Sequence, residues 1–147
     1  VKPWNRPIDE MFLVARRRAS RMTTIGVGDG GNEIGMGNAR AALRRQGPLM
    51  ARLASVVRVD HLVVAGVSNW GAYGIVAQLA RLTGRALLHT PDDERRLIAA
   101  CVDAGAVDGV TRARECTVDR MDADTHAAIV ALLGLSWGDP ASRGERR

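Results

Sequence analysis

The chain has 147 residues and 46% hydrophobic content, enough for one domain with a core of ordinary size. Only 3% of the residues are aromatic, so aliphatic side chains must fill the interior, as is usual where helices pack on a parallel sheet. The formal net charge of +5 comes almost entirely from arginine, but these arginines are dispersed among acids without interleaved aromatic residues, which argues against a nucleic-acid groove.

Cysteine usage and hydropathy indicate the cellular compartment. Cys101 and Cys116 form no CxxC or Cys/His cluster, so neither a metal site nor a disulfide framework is predicted. No apolar run reaches membrane-spanning length, and the first residues lack the apolar stretch of a signal peptide. We therefore predict a cytoplasmic protein that binds no nucleic acid, membrane, metal or cofactor.

Apolar segments and helical patterns alternate along the chain. A helix is predicted over residues 7–19, and later helices over 70–82, 90–104 and 122–133. The third helix begins with a capping box at Thr90, with Pro91 at the first helical position. Strands are predicted between these helices, at residues 23–27, 61–66, 85–89 and 107–110.

This order predicts an α/β fold of three layers, with a mainly parallel, Rossmann-like sheet of about four strands and flanking helices. The single domain is expected to cover residues 1–137, and residues 138–147 are expected to form a disordered tail. In such a sheet the ligand crevice lies outside the carboxyl ends of the strands. Polar or glycine-rich loops follow all four predicted strands, at residues 28–33, 67–71, 89–90 and 111–112.

The first of these loops contains a literal GxGxxG match, from Gly26 to Gly31. A dinucleotide site is disfavoured, because the second strand ends without an acid for the ribose hydroxyls and no helix opens at Gly31. Bare backbone amides at Gly28, Gly30 and Gly31 can instead bind an anion. The alternative is that the glycines serve a tight turn, which the nearby acids cap.

The second loop and the histidines are weighed in the same way. Ser68 or Asn69 is an ordinary N-cap for the next helix, whose N-terminus also suits a carboxylate ligand, and Gly71 follows closely. His89 is either an acid/base group or a polar strand end. We expect His61 to be structural and His126 to lie at the surface.

Two long segments, residues 24–37 and 60–73, resemble the D-glutamate cyclase family, and residues 108–111, Glu115 and residues 117–119 resemble its closing segment. The resemblance covers about residues 7–119 and implies conversion of D-glutamate to 5-oxo-D-proline with loss of water. It also implies that the chain is the C-terminal portion of a larger family domain, whose usual upstream part is absent here. Residues 120–122 replace an expected glycine.

This reaction needs an acid/base pair, because the α-amine must be neutral to attack and the leaving oxygen must be protonated. Asp29 and Glu33 can supply the pair if their crowding raises one pKa. The oxyanion can be held by Asn32, Asn69 and the glycine amides, and Arg112 can grip the α-carboxylate. The predicted catalytic residues are Asp29, Asn32 and Glu33. The predicted substrate-binding residues are Gly28, Gly30, Gly31, Ser68, Asn69, Gly71, His89 and Arg112.

Two other functions remain open at this stage. The chain can be a non-catalytic anion-binding or assembly module from a split gene, or, third in order, a nicotinamide-dependent oxidoreductase. A four-stranded sheet without its upstream part has an uncovered edge. We therefore expect a homo-oligomer, or pairing with an upstream partner segment.

Overall fold

The computed structural model describes residues 10–18 and 22–137. The chain divides into two compact units, the first ending at Gly71 and the second beginning at Ala72. The helices are α1 (Glu10–Arg18), α2 (Arg40–Arg44), α3 (Pro48–Leu53), α4 (Ser68–Thr83), α5 (Pro91–Asp103) and α6 (Ala123–Trp137). The strands are β1 (Ile25–Gly28), β2 (His61–Val64), β3 (Thr117–Val118) and β4 (Met121–Asp122).

The first unit is built on a parallel pair of strands. β1 and β2 run side by side with Ile25 opposite His61 and Gly28 opposite Val64. The connection between them contains α2 and α3, so this part of the chain is a β-α-β arrangement. These two short helices were not predicted from the sequence, because glycines interrupt any helical pattern after β1.

A side-chain clasp fixes the amino ends of the two strands. One oxygen of the Asp60 carboxylate accepts hydrogen bonds from the backbone N–H of Thr24 at 2.8 Å and from its hydroxyl at 2.7 Å. The backbone N–H groups of Asp60 and His61 both donate to the Thr24 carbonyl. The register of the parallel pair is therefore set before the first ladder residue.

The segment after β1 folds back against the strands at very short range. A Cβ on Gly26 would lie 2.8 Å from the Cα of Gly35, and a Cβ on Gly37 would lie 2.4 Å from the carbonyl oxygen of Val57. The N–H groups of Gly35 and Gly37 both donate to that oxygen. These glycines therefore allow backbone to pack on backbone, which no other residue would permit here.

A small core lies beneath this folded segment. Its buried members are Met36, Leu43 and Ala54, and Met50 and Leu62 pack against them. The core thus joins the loop after β1 to α2, α3 and β2. It is aliphatic, as the composition predicts.

α4 begins four residues after the end of β2, and its first turn packs closely on the sheet. Gly71, in its first turn, is buried, and a Cβ there would lie 2.8 Å from a Val27 methyl carbon and 3.2 Å from the Cβ of Ala65. Three residues later, a Cβ on Gly74 would meet no atom of the described residues within 4 Å outside the backbone of its own helix. Only the first of these two glycines is required by packing.

The second unit is mostly helical. α5 packs on α6, and both helices contribute buried aliphatic residues, including Ile98 and Val130. The predicted capping box at Thr90 is confirmed, with reciprocal hydrogen bonds between Thr90 and Asp93 and with Pro91 in the first helical turn. The predicted helices over residues 70–82, 90–104 and 122–133 correspond to α4, α5 and α6. The predicted first helix corresponds to α1.

β3 and β4, each two residues long, form an antiparallel hairpin that was not predicted. Its central residues, Asp119 and Arg120, have φ of 51° and 70°. Positive φ at both positions is the pattern of a type I′ turn, which favours glycine. Arg120 stands where the family resemblance led us to expect glycine, and an L-residue in this conformation costs on the order of 1 kcal/mol.

Two of the four predicted strands are absent. Residues 85–89 have no strand partner among the described residues, and Leu87 is exposed, so this apolar run is a connection. Residues 107–110 form a turn, because the Asp108 carboxylate accepts the backbone N–H groups of Val110 and Thr111 at 2.7 and 3.0 Å. Such local side-chain bonds compete with strand formation.

The fold is therefore mixed α/β with one parallel pair of strands, and the four-stranded, Rossmann-like sheet is not observed in the described residues. The expected tail over residues 138–147 lies outside them. The proposed single domain over residues 1–137 remains a prediction, beside the two compact units.

Substituting the two glycines of α4 tests how closely this helix approaches the sheet. In a helix, Gly→Ala normally stabilises by about 0.5–1 kcal/mol. We expect this gain for Gly74→Ala and a net loss of about 1–3 kcal/mol for Gly71→Ala, because its new methyl group overpacks against Val27. Chemical denaturation measures both changes. Equal stabilisation by the two substitutions would contradict the close approach.

Candidate active site

The loop after β1 and the start of α4 meet through a carboxylate. One oxygen of Asp29 accepts hydrogen bonds from the backbone N–H of Ser68 at 2.9 Å and from its hydroxyl at 2.8 Å. The N–H of Ala65 donates to the carbonyl of Gly28 and extends the parallel ladder toward this contact. The prediction that these two loops adjoin at the carboxyl edge is confirmed.

Glu33 closes the glycine loop on itself. Its two carboxylate oxygens accept the backbone N–H groups of Gly30 and Gly31, each at 2.8 Å. The amides at Gly30 and Gly31 were expected to be open to an anionic ligand, and they are instead bonded to this side chain. A carboxylate does fit this pair of amides, and here the protein supplies it.

The glycines at this loop are also required by sterics. A Cβ on Gly28 would lie 2.6 Å from the Met36 side chain. Gly31 has a φ of 95°, and a Cβ there would meet the side chains of Leu43 and Met50. A Cβ on Gly30 would lie 3.1 Å from a Glu33 carboxylate oxygen. The alternative of a tight turn capped by acids therefore accounts for these glycines on packing grounds alone.

The electrostatics of Asp29 favour its charged form. The hydroxyl of Ser68 is the main cause that lowers the Asp29 pKa, and hydrogen bonding with Glu33 and the backbone of Ser68 and Gly30 adds to it against a smaller effect of burial. The expected rise in the pKa of one carboxylate therefore does not occur at Asp29. This residue is suited to remain an anion at neutral pH.

The remaining predicted residues of the first unit have different surroundings. Asn32 and Asn69 are exposed beside the loop and at the start of α4. Gly71 contacts the sheet, as described above, so its close packing explains it without a ligand.

His89 and Arg112 belong to the second unit, and the strands expected to carry them to the sheet edge are not formed. The Nε2 atom of His89 lies 2.8 Å from the carboxylate of Glu94, which is only 2% exposed and also accepts the hydroxyl of Tyr73 at 2.7 Å. Arg112 is exposed in the turn after Asp108, with a φ of 62°. Glu94 was not predicted from the sequence, and only its place beside the capping box could have suggested it.

The other histidines and the cysteines lie in ordinary surroundings. His61 begins β2 at its amino end, as predicted. His126 was expected at the surface, but it is fully buried, and its Nε2 donates to the Val118 carbonyl at 3.1 Å because the β3–β4 hairpin covers it. Cys101 and Cys116 are exposed thiols.

The described residues contain no group of three or more histidine, cysteine, aspartate and glutamate side chains that could hold a metal ion. None of their helices combines the length and the apolar character needed to cross a membrane.

Comparison with known proteins identifies the family. The sequence model of the family described as "D-glutamate cyclase-like, C-terminal" matches residues 1–134. The chain belongs to the D-glutamate cyclase-like family. The resemblance stated from the two glycine-containing segments is therefore confirmed, including its assignment to the C-terminal part.

A curated relative of this D-glutamate cyclase-like chain is the human protein named "D-glutamate cyclase, mitochondrial". The two are 47% identical over 73 residues, which are 50% of this chain and 12% of the human protein. The matched region is thus a small part of a much longer relative.

The pKa of Asp29 tests the contact between the loop and α4. Ser68→Ala removes the hydroxyl donor, so we expect the Asp29 pKa to rise toward the ordinary aspartate value of about 3.9. Because the native pKa is lowered, this hydrogen bond stabilises the fold fully at pH values above the ordinary aspartate pKa. Its contribution is lost as the pH falls through the native pKa. Carboxyl-carbon NMR titration gives the pKa directly. Ser68→Thr, which keeps a hydroxyl, is the control, and an unchanged pKa in Ser68→Ala would refute the contact.

Proposed function

We propose that this chain supplies the active site of a D-glutamate cyclase, which converts D-glutamate to 5-oxo-D-proline and water. The observation that carries the proposal is the hydrogen-bonded contact of Asp29 with Ser68 at the carboxyl edge of β1 and β2, in a chain of this family. Ligand sites of α/β folds are found at this edge. The name of the human relative supports the choice of reaction.

Asp29 is assigned to the amine of the substrate. Its lowered pKa keeps it ionised, so the carboxylate can pair with the α-ammonium group and accept one of its protons, which leaves a neutral amine to attack the γ-carboxyl carbon. A lowered pKa also makes it a weaker base. Its main contribution is therefore to position and charge-balance the amine before the carbon–nitrogen bond forms.

Glu33 is assigned to the leaving oxygen, and its hydrogen bonds constrain how it acts. Both of its oxygens accept glycine N–H groups, and each oxygen keeps a second lone pair, so Glu33 can take up a proton lost by the substrate nitrogen and pass it to the leaving oxygen. The amides of Gly30 and Gly31 become available to the oxyanion of the tetrahedral intermediate only where Glu33 turns away from them. Asn32 and Asn69 complete the proposed set of oxyanion donors.

A second candidate is a non-catalytic anion-binding or assembly module. The observation that favours it is that Asp29 and Glu33 both bond to backbone groups, as residues that merely shape a loop would do. Binding of D-glutamate without turnover would support this candidate. A nicotinamide site is less well supported, since the first helix after the glycine loop begins only at Arg40.

The partners of the chain are also proposed. β1 and β2 are the parallel strands of the described residues, and a two-stranded sheet offers an edge on each strand. Ile25 and Val64 on these strands are 43% and 61% exposed. We infer pairing with a second copy or with an upstream segment of the family domain. A cytoplasmic location stays a prediction, and the human relative is named as mitochondrial.

Substitutions of two aspartates in similar hydrogen-bonding environments distinguish a catalytic role from a structural one. Asp29 and Asp60 each accept the N–H and the hydroxyl of one Ser or Thr residue, at opposite ends of the strand pair. We expect Asp29→Asn to lower turnover at least roughly a hundredfold in an active, full-length form, because the variant loses both the charge that positions the amine and the group that accepts its proton. Asp60→Asn should leave turnover nearly unchanged.

The controls for this pair are stability and substrate binding. Asparagine keeps an acceptor oxygen, so both variants should remain folded by circular dichroism and denaturation. Equal turnover in Asp29→Asn and the unsubstituted protein would remove Asp29 from the mechanism. Collapse of the fold in Asp29→Asn would favour a purely structural role.

A further inference from the structure

A cavity of about 450 Å³ lies in the first unit, and neither Asp29 nor Ser68 is among the residues that line it. Three of the residues that line it are arginines, Arg40, Arg44 and Arg58, and none of its lining residues is acidic. Its volume falls in the range of small-molecule sites, roughly 300–1,000 Å³. The charged side chains that line it are therefore all positive.

The arginines reach the cavity from two separate segments. Arg40 and Arg44 stand four residues apart on α2, so they share one face of that helix. Arg58 comes from the segment whose backbone bridges to Gly35 and Met36. The arginines that line the cavity therefore belong to two separate segments of the chain.

Arg40 provides the observation that points to a ligand. Its Nε atom is buried and has no hydrogen-bond partner among the described residues. A guanidinium cannot lose its proton in a protein, so this N–H is a charged donor that needs an acceptor. Buried donors in native structures nearly always have one.

Asn38 cannot meet that need. Its side-chain amide nitrogen donates to the carbonyl of Val59 at 3.0 Å, and its oxygen accepts the N–H of Val59 at 3.2 Å. Both ends of the amide are thus occupied by the backbone. The polar chemistry that this cavity offers to a ligand is therefore mainly cationic.

We propose that this cavity binds a phosphoryl group, as inorganic phosphate or as a small phosphate monoester. A phosphoryl group carries up to two negative charges and three acceptor oxygens, which suits donors that converge from two segments. Planar guanidinium groups bind it in bidentate fashion. None of Asp29, Glu33 and Ser68 lines the cavity, so the proposal does not depend on cyclase activity.

Titration calorimetry of the whole chain with inorganic phosphate, at constant ionic strength, tests this site. We expect saturable binding, with the dissociation constant raised at least tenfold in Arg40→Gln and in Arg44→Gln. Arg52→Gln is the matched control, since Arg52 is an exposed arginine on the neighbouring α3 that does not line the cavity. Arg40→Lys keeps the charge but loses the planar fork, so it should bind more weakly than the unsubstituted chain.

Parallel titrations identify the source of the phosphoryl group. Tighter binding of glycerol 3-phosphate than of inorganic phosphate would indicate a monoester, and the reverse would indicate the free ion. If Arg40→Gln fails to fold, Arg44→Gln carries the test, because Arg44 is exposed. The proposal is overturned by absence of saturable phosphate binding, by unchanged binding in Arg44→Gln, or by acetate binding as tightly as phosphate.

Discussion

The candidate site depends on how closely the loop after β1 approaches the backbone behind it. Gly26 and Gly35 leave no room for a Cβ between them, and Gly37 lies against the carbonyl of Val57 in the same way. This contact turns the chain back after β1 and fixes the positions of Asp29 and Glu33. A larger residue at any of these glycines would clash with the facing backbone and displace the loop, and with it Asp29 and Glu33.

Two carboxylate clasps act on the same pair of strands. Asp60 holds Thr24 where the strands begin, and Asp29 holds Ser68 where the chain leaves them. Their chemistry is alike, but only the second lies at the edge where α/β folds bind ligands. Position in the fold, and not the hydrogen-bond pattern, is what makes Asp29 the candidate for catalysis.

The sequence predicted the first unit better than the second. Glycines and polar residues after two apolar runs correctly placed residues 28–33 beside Ser68, because parallel strands share a carboxyl edge. The same logic failed for His89 and Arg112, since an apolar run becomes a strand only when another strand pairs with it. Near Arg112, the Asp108 carboxylate organises a turn that periodicity cannot reveal. Glu94 was missed because a buried acid inside a helix start looks like an ordinary capping residue.

Formation of 5-oxoproline from D-glutamate, followed by proton NMR, distinguishes a cyclase from a binding module. The assay compares the chain alone with a version preceded by the family's upstream portion. We expect product from the D-enantiomer in the extended form and weaker turnover by the chain alone. Intact binding of D-glutamate with no product from either form would contradict it, and would identify a binding module instead.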